Sequence, residues 1–280
     1  MNIAIVTGAS SGMGEEFVTQ LFMEIDNRIG APYDEIWMIA RSEDKLKNLR
    51  DSVANIPFRM PERRFPILLP IPLDLTKEES IRSLAALLEE RKPVIRLLIN
   101  CAGMGRNSAF AEQTVEETRS AITLNCTSLS EVTNICLPYM LPTASSLPKN
   151  EAPRIINIAS SAGFLPQPGY AVYAATKSYV ISFSRALATE LQSRNVAVTC
   201  ICPGPVDTNF IKVSKNDPNA TFTGFKSKFV TTTGKLIPAA LRASKKRKKM
   251  LVYGLGQKAL HLMSKVLPTS WILFFERGMS

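Results

Sequence analysis

The sequence has few of the residues that several common kinds of active site require. Its 280 residues include a single histidine, His261. A histidine-rich metal site is therefore excluded, and a Ser-His-Asp hydrolase would have to use His261, whose surroundings, KALHLMSKVL, are typical of an ordinary helix position. The five cysteines, at positions 101, 126, 136, 200 and 202, are scattered. We interpret them as buried free thiols in a reducing compartment such as the cytoplasm.

Long apolar runs are also absent. No run reaches the 18 or so residues that a membrane-spanning helix needs. The first residues, MNIAIVTGAS, have no basic region before their apolar run, so we interpret them as a strand and not as a signal peptide. We find no internal repeat and no domain linker. Hydrophobic residues make up 45% of the chain, enough for the core of one large α/β domain, which we prefer to two.

Acidic residues are scarce relative to basic ones, 24 against 34, which gives a net charge of +10. Much of the excess lies in SKKRKK, residues 244–249. Such a run fits a nuclear localisation signal, a nucleic-acid-binding surface, a membrane-surface contact or a solvated loop before a strand, and we prefer the loop. No aromatic residues interleave with the basic ones and no nucleic-acid motif occurs elsewhere, so we predict no nucleic-acid partner.

Short apolar runs alternate with longer amphipathic ones. Six runs rich in Ile, Val and Leu predict strands: IAIVTG, EIWMIAR, FPILLPIPLDL, IRLLINCAG, PRIINIASS and VAVTCICPG. Apolar residues on both faces are typical of a parallel sheet covered by helices on both sides. The pattern predicts an α/β fold with a doubly wound, Rossmann-like parallel sheet, in a single domain over residues 1–254. MLVYG predicts a last strand, and residues 255–280 predict a helical C-terminal extension.

Three glycines follow the first predicted strand and open the first predicted helix. Gly8, Gly12 and Gly14 form the pattern T-G-x-x-x-G-x-G. Glycine lets the backbone approach a phosphate closely, and a helix start offers free N–H groups and the positive end of the helix dipole. An ordinary tight turn is the alternative, but the place directly after the first strand favours a dinucleotide site.

The end of the second predicted strand, IARSEDKL, indicates which dinucleotide binds. In a dinucleotide fold this strand end faces the adenosine ribose, where an acidic residue holds the 2′-hydroxyl of NAD. Arg41 stands there instead and can pair with a 2′-phosphate, and Ser10 can add a hydroxyl. An ordinary surface arginine is the alternative. We predict NADP(H) in preference to NAD, and no metal.

Seven short motifs occur in a fixed order: TGASSGMG, LDL at 73–75, NCAG at 100–103, LN ending at Asn125, NIASSAG at 157–163, YAATK at 173–177 and PGPVDT at 203–208. Each is weak alone, but together, over about residues 3–208, they make the chain resemble the classical short-chain dehydrogenase/reductase family. Cys101 departs from the asparagine that the family usually has there, a small change that should not harm the nucleotide site. The resemblance implies hydride transfer between a nicotinamide and a carbonyl or secondary alcohol.

The resemblance selects four candidate catalytic residues: Asn125, Ser160, Tyr173 and Lys177. Tyr173 is preferred to Tyr170 because Lys177 lies four residues after it, on the same helix face. A free phenol has a pKa near 10, and a nearby ammonium and the nicotinamide charge are expected to lower the pKa. Tyr173 can then exchange a proton with the substrate oxygen.

The resemblance also distributes the supporting roles. Ser160, at the family spacing of thirteen residues before Tyr173, is preferred to Ser161 for polarising the substrate oxygen. Asn125 is expected to support a water and a proton relay through Lys177, with a plain helix-interior asparagine as the alternative. The implied cofactor-binding residues are Gly8, Ser10, Ser11, Gly12, Met13, Gly14, Arg41, Asp74, Leu75, Asn100, Ala102, Gly103, Tyr173, Lys177, Pro203, Gly204, Val206 and Thr208. By the resemblance, Asp74 and Leu75 would border the adenine, and the last four residues would hold the nicotinamide end.

Substrate choice is expected to depend on two C-terminal segments. Residues 209–240 are polar and rich in Gly and Thr, which fits a mobile lid or a disordered loop. The tail over residues 255–280 resembles that of family members that act on lipophilic carbonyls such as steroids or acyl chains. Its apolar cluster, residues 271–275, would cap the cleft, form an interface, touch a membrane or simply pack in the core. The resemblance further suggests a homodimer, through the helices that begin near Glu117 and Tyr173, or a higher homo-oligomer.

Two other functional classes stay open at this stage. One is an NADP-binding regulatory or structural module, against which the complete set of Asn125, Ser160, Tyr173 and Lys177 argues. The other is a membrane-surface protein held by the basic run and the tail.

Overall fold

Parallel strands form the centre of the molecule. The computed structural model describes residues 1–24, 32–56, 65–222, 227 and 229–268. Within them, seven strands pair in the order β3-β2-β1-β4-β5-β6-β7. Their bounds are β1 Asn2–Thr7, β2 Glu35–Ala40, β3 Ile67–Pro72, β4 Val94–Asn100, β5 Arg154–Ile158, β6 Ala197–Cys202 and β7 Met250–Val252. Because the chain runs outward from β1 to β3 and returns to β4 beside β1, the strand order reverses there, where α/β sheets bind ligands.

Ten α-helices connect or follow these strands in the described residues. Their bounds are α1 Gly12–Met23, α2 Glu43–Ala54, α3 Glu78–Arg91, α4 Val115–Ile122, α5 Leu129–Cys136, α6 Leu141–Ala144, α7 Ala171–Glu190, α8 Phe210–Lys215, α9 Thr233–Lys245 and α10 Leu255–Val266. A π-helical stretch, Thr123–Ser128, joins α4 to α5, and a 3₁₀ turn, Ser161–Phe164, follows β5.

The core has two layers because successive strand residues point to opposite faces. In β1, Ala4 and Val6 face the layer covered by α1, α2 and α9. Ile3 and Ile5 face the layer covered by α3, α5 and α7. All four are fully buried. The predicted doubly wound α/β sheet is therefore confirmed.

Three details refine the sequence-based expectations. The basic run at 244–249 is not wholly a loop, because Ser244 is fully buried and Lys245 ends α9, and only the residues after them form the turn before β7. The five cysteines are free thiols, four of them buried, as predicted. Within the described part of the chain, every helix is too short or too polar to cross a membrane.

Candidate active site

The glycine turn joins β1 to α1 in a tight conformation. Gly8 and Gly12 have positive φ angles of 69° and 58°, which favour glycine. A Cβ on Gly14 would lie 2.1 Å from the carbonyl oxygen of Gly8, and one on Gly8 would lie 2.8 Å from the backbone of Ala102. The backbone segments therefore meet too closely for any larger residue, and the start of α1 is held at the carboxyl ends of β1 and β4.

The side chains of Thr7 and Asn100 fix this strand edge through hydrogen bonds. Thr7 Oγ1 accepts from the backbone N–H groups of Cys101, at 3.0 Å, and Ala102, at 3.1 Å. Asn100 Nδ2 donates to Thr133 Oγ1 and to Asn157 Oδ1, both at 2.9 Å, while its own Oδ1 is buried and has no partner among the described residues. Sequence motifs contain Thr7 and Asn157 but did not indicate this supporting role.

The predicted adenosine side lies where β2 and β3 end. Arg41 is exposed directly after β2, and the Ala9 N–H donates to the carbonyl oxygen of Ile39, at 3.2 Å, which ties the glycine turn to that strand end. Asp74 Oδ1 accepts from the Thr76 N–H, at 3.1 Å, and hydroxyl, at 2.8 Å. Leu75 is buried beside them. The remaining turn residues, Ser10, Ser11 and Met13, are part-buried or exposed.

The predicted nicotinamide side is the loop after β6. Pro203 and Val206 are buried, and Thr208 approaches the glycine turn so closely that a Cβ on Gly12 would lie 3.1 Å from its Cγ2. Gly204 is covered from the other side by Gln257 of α10, whose amide nitrogen would lie 2.0 Å from a Cβ on Gly204. Gln257 was not predicted, because its helix follows the motifs by some fifty residues and no local pattern marks it.

Helix α7 positions the candidate acid–base pair. Lys177 is 5% exposed, and its Nζ donates to the carbonyl oxygen of Ile158 at 2.9 Å. The same Nζ lies 5.6 Å from the centroid of the Tyr173 ring. The ring packs tightly on Gly105, where a Cβ would lie 2.5 Å from Tyr173 Cδ2. The two side chains thus share one face of the helix, as their spacing predicts.

Ser160 and Asn125 complete the set. Ser160 precedes the 3₁₀ turn after β5 and shares a hydrogen bond with the side chain of Tyr173. Asn125 is 1% exposed in the π-helical stretch. Its Oδ1 accepts from the Met104 N–H at 2.9 Å, and its Nδ2 donates to the Met104 carbonyl oxygen at 2.7 Å and to Thr176 Oγ1 at 2.9 Å. A Cβ on Gly103 would lie 3.3 Å from both Asn125 Oδ1 and Lys177 Nζ.

The described residues fit a nicotinamide dinucleotide. Ser11 precedes α1 and its side chain makes no capping hydrogen bond, so the first N–H groups of the helix are available to an anion. Among the described residues, no cluster of His, Cys, Asp and Glu suits a metal ion.

Comparison with known proteins agrees with this geometry. Residues 2–219 match the family model of the short chain dehydrogenases. The chain belongs to the short-chain dehydrogenase family. An uncharacterized oxidoreductase of Staphylococcus aureus is 32% identical over 206 residues, 74% of this chain and 78% of the relative.

Two solved structures show how far the shared fold extends. A short-chain dehydrogenase from Sphingobium yanoikuyae in complex with NADPH has a TM-score of 0.72 at 24% identity and covers 95% of this chain and 97% of its own. A 3-ketoacyl-(acyl-carrier-protein) reductase from Brucella melitensis complexed with NADH has a TM-score of 0.72 at 21% identity and covers 91% and 98%. As a short-chain dehydrogenase, the protein is an oxidoreductase that acts on CH–OH and C=O groups and binds NAD(P).

The pKa values of the acid–base pair in this short-chain dehydrogenase are governed by burial. Burial raises the pKa of Tyr173 well above its ordinary value of 10.0, and the hydrogen bond with Ser160 only partly opposes the rise. Burial also lowers the pKa of Lys177. The expectation that Lys177 lowers the pKa of Tyr173 is therefore not met in the protein alone. The main reason is that burial disfavours the charged phenolate, and Nζ bonds to the Ile158 carbonyl oxygen and not to the phenol.

Proposed function

We propose that the protein transfers hydride between NADP(H) and a lipophilic ketone or secondary alcohol, with Asn125, Ser160, Tyr173 and Lys177 as the catalytic residues. The supporting observation is the convergence of these four side chains beside the loop that would hold the nicotinamide. The testing experiment is a screen of steroid, acyl and small ketones and alcohols with the purified protein, followed by NADPH absorbance. A complete lack of turnover with every compound would favour a binding module without catalysis.

Tyr173 is proposed as the proton donor to the substrate oxygen during reduction. When bound, the cofactor supplies the hydride that reaches the carbonyl carbon. The raised pKa of Tyr173 keeps its phenol protonated at neutral pH, which suits a donor. The Ser160 hydroxyl, already hydrogen-bonded with the phenol, orients the same oxygen and stabilises its developing negative charge.

Lys177 and Asn125 are proposed to return a proton to Tyr173. Nζ of Lys177 and Oδ1 of Asn125 both lie at Gly103, so a water bound there would connect them. The double hydrogen bond of Asn125 with Met104 and its bond to Thr176 hold the amide in one orientation. A plain helix-interior asparagine would not need the π-helical stretch, which is an irregularity often found at functional sites.

NADP is proposed as the preferred cofactor because of Arg41. No acidic residue follows β2 directly, and Arg41 is exposed there at the start of the turn into α2. A guanidinium pairs well with a phosphate. The predicted roles of the other cofactor-binding residues are likewise proposed, from the glycine turn through Asp74 and Asn100 to Val206 and Thr208.

A lipophilic substrate is proposed because aromatic rings surround the phenol of Tyr173. The ring of Tyr170 lies 5.6 Å away and that of Phe210 lies 5.3 Å away, measured between centroids. Phe210 opens α8, which lies inside the predicted lid at 209–240, and Tyr170 also bonds to Ser214 of that helix. The Brucella relative, a 3-ketoacyl reductase, is consistent with such a substrate.

The tail is proposed to lie at the substrate cleft. Its helix α10 packs on the 3₁₀ turn that follows Ser160, with the rings of His261 and Phe164 4.3 Å apart. The apolar cluster at residues 271–275, for which a cap is one of the predicted roles, lies outside the described residues.

Deleting residues 268–280 should raise KM for bulky ketones while the dissociation constant for NADPH stays unchanged. The reason is that a cap contacts the substrate and not the cofactor. Steady-state kinetics with one bulky and one small ketone test this, and the small ketone is the internal control. Unchanged kinetics together with a lost dimer in light scattering would show instead that the tail is a subunit interface.

Reduction and oxidation should depend on pH in opposite ways. Reduction needs the protonated phenol, and a raised pKa keeps Tyr173 protonated, so titration of Tyr173 should not lower kcat/KM for reduction between neutral pH and its ordinary pKa of 10.0. Because burial lowers the pKa of Lys177, the first fall of kcat/KM with rising pH should come from the loss of the Lys177 proton. Oxidation needs the deprotonated form and should rise with pH over that range. A fall between pH 7 and 8 that accompanies tyrosinate formation at Tyr173, measured as the ultraviolet absorbance difference between the wild type and Tyr173→Phe, would contradict the raised pKa of Tyr173.

A homodimer is proposed from an exposed apolar groove, and a cytoplasmic location is proposed from the free thiols. An open apolar groove of 510 Å³ lies between the helices beginning at Val115 and Ala171. Phe110 and Ile122 on its wall are 61% and 46% exposed, and pairing with a second copy would bury them. Free thiols are typical of a reducing compartment.

A further inference from the structure

Helix α10 turns its polar side toward the protein and its apolar side outward, which is the reverse of an ordinary surface helix. Polar Gln257, His261 and Ser264 face the protein, where Gln257 is 9% exposed and the His261 ring contacts Phe164. Apolar side chains face outward at spacings of three and four residues, which define one helix face. Their exposed fractions are 85% for Leu255, 63% for Leu262, 45% for Met263 and 71% for Val266. We call these four residues the outer stripe.

The outer stripe lies within the most basic part of the chain. Residues 218–280 contain twelve of the 34 Lys and Arg residues but one of the 24 Asp and Glu residues. Their net charge is therefore +11, while residues 1–217 carry −1. The single acidic residue is Glu276, so none occurs between residues 218 and 275.

The charges and the stripe lie at one end of the molecule. β7 is the edge strand of the sheet, with the exposed lysines Lys246, Lys248 and Lys249 directly before it and α10 directly after it. Lys258 and Lys265 are exposed on α10 itself, on either side of Leu262 along the chain. The charged residues nearest to the outer stripe along the described chain are thus all cationic, and the stripe lies on the helix that follows the edge strand.

We propose that α10 docks this face on the surface of an anionic lipid bilayer. An amphipathic helix with Leu, Met and Val on one side and lysines at its borders lies in the plane of the headgroups, with its apolar side among the acyl chains. Anionic headgroups would pair with the lysines. A second copy fits this face poorly, because a symmetric pairing would bring the same lysines together with no acidic residue on α10 to oppose them.

Vesicle binding of the full-length protein tests the proposal, without any substrate. The protein should sediment with phosphatidylcholine vesicles that contain about a third phosphatidylserine, and much less with phosphatidylcholine alone. High salt should release it, because exposed charges are screened.

Two double variants separate the apolar contribution from the charge. Leu262→Ser with Val266→Ser, and Lys258→Glu with Lys265→Glu, should each lower the partition coefficient at least about tenfold. The matched controls lie elsewhere on the surface: Ile67→Ser, at a side chain 60% exposed on the opposite edge strand, and Lys77→Glu with Lys92→Glu. These controls should bind like the wild type. All variants are at exposed positions, and an unchanged melting temperature would verify their folding.

Four results would overturn the proposal. The first is no sedimentation of the full chain with the phosphatidylserine vesicles. The second is wild-type binding by the serine variant, which would reduce the effect to unspecific charge attraction. The third is a loss of oligomers in the serine variant without a change in vesicle binding, which would assign the stripe to a second copy. The fourth is vesicle binding that appears only after residues 269–280 are deleted, which would indicate that these residues cover the outer stripe in the full-length protein.

Discussion

Replacing Tyr173 with phenylalanine should lower turnover by at least the ~10²–10⁴-fold that a lost general acid costs. The change removes the hydroxyl and keeps the ring, which is held by Gly105, Tyr170 and Phe210. The shape of the substrate site and the affinity for the cofactor should therefore be nearly unaffected. The measurement is single-turnover reduction at saturating NADPH, with the dissociation constant of NADPH determined separately.

Tyr170→Phe is the matched control for this variant. Tyr170 lies three residues earlier with its ring near the same site, but its hydroxyl pairs with Ser214 at 3.1 Å and not with Ser160. It should retain turnover within a few fold. If the purified Tyr173→Phe protein kept wild-type turnover, the proton donor would have to be another group, and the pairing of Tyr173 with Ser160 would be structural.

The sheet was predictable because buried parallel strands leave an unambiguous sequence pattern. Ile3 and Ile5 on one face and Ala4 and Val6 on the other are all apolar, and both faces are buried. Short runs of this kind between amphipathic segments are best interpreted as buried parallel strands. The glycine turn was equally clear, since Gly14 stands where a Cβ would collide with the Gly8 carbonyl oxygen.

Long-range contacts were not predictable from local patterns. Gln257 reaches Gly204 across more than fifty residues, and Asn157 supports Asn100 across the sheet. The direction of the pKa shift at Tyr173 depended on burial of the phenol in the folded chain, which the spacing of residues does not show. Spacing alone placed Lys177 on the same helix face, but only the structure shows that its Nζ bonds to Ile158. Likewise, the pattern of α10 predicted a helix, and only its packing shows that the apolar side faces outward.

Cofactor choice is the second large effect, and Arg41 allows a magnitude. A hydrogen bond to a charged group contributes about 1.5–3 kcal/mol, and each ~1.4 kcal/mol changes affinity tenfold. If Arg41 is the main contact to the 2′-phosphate, Arg41→Ala should weaken NADPH binding by roughly ten- to a hundredfold. NADH binding should change little, because NADH has no phosphate there.

Three further variants sharpen this test of Arg41. Arg41→Asp should weaken NADPH more than Arg41→Ala does, because aspartate repels the phosphate and accepts from the ribose hydroxyls of NADH. Ser10→Ala should have a smaller effect in the same direction. Arg50→Ala, at an arginine of α2 that pairs with Asp51 at 2.8 Å, is the control for a general loss of positive charge and should leave both affinities unchanged.

Dissociation constants for both cofactors are compared at one ionic strength, because a phosphate contact is sensitive to salt. The proposal would be wrong if Arg41→Ala weakened the binding of NADPH and NADH equally, or if the wild type already bound NADH more tightly. Arg41 would then be an ordinary surface charge, and the predicted preference for NADP would be incorrect.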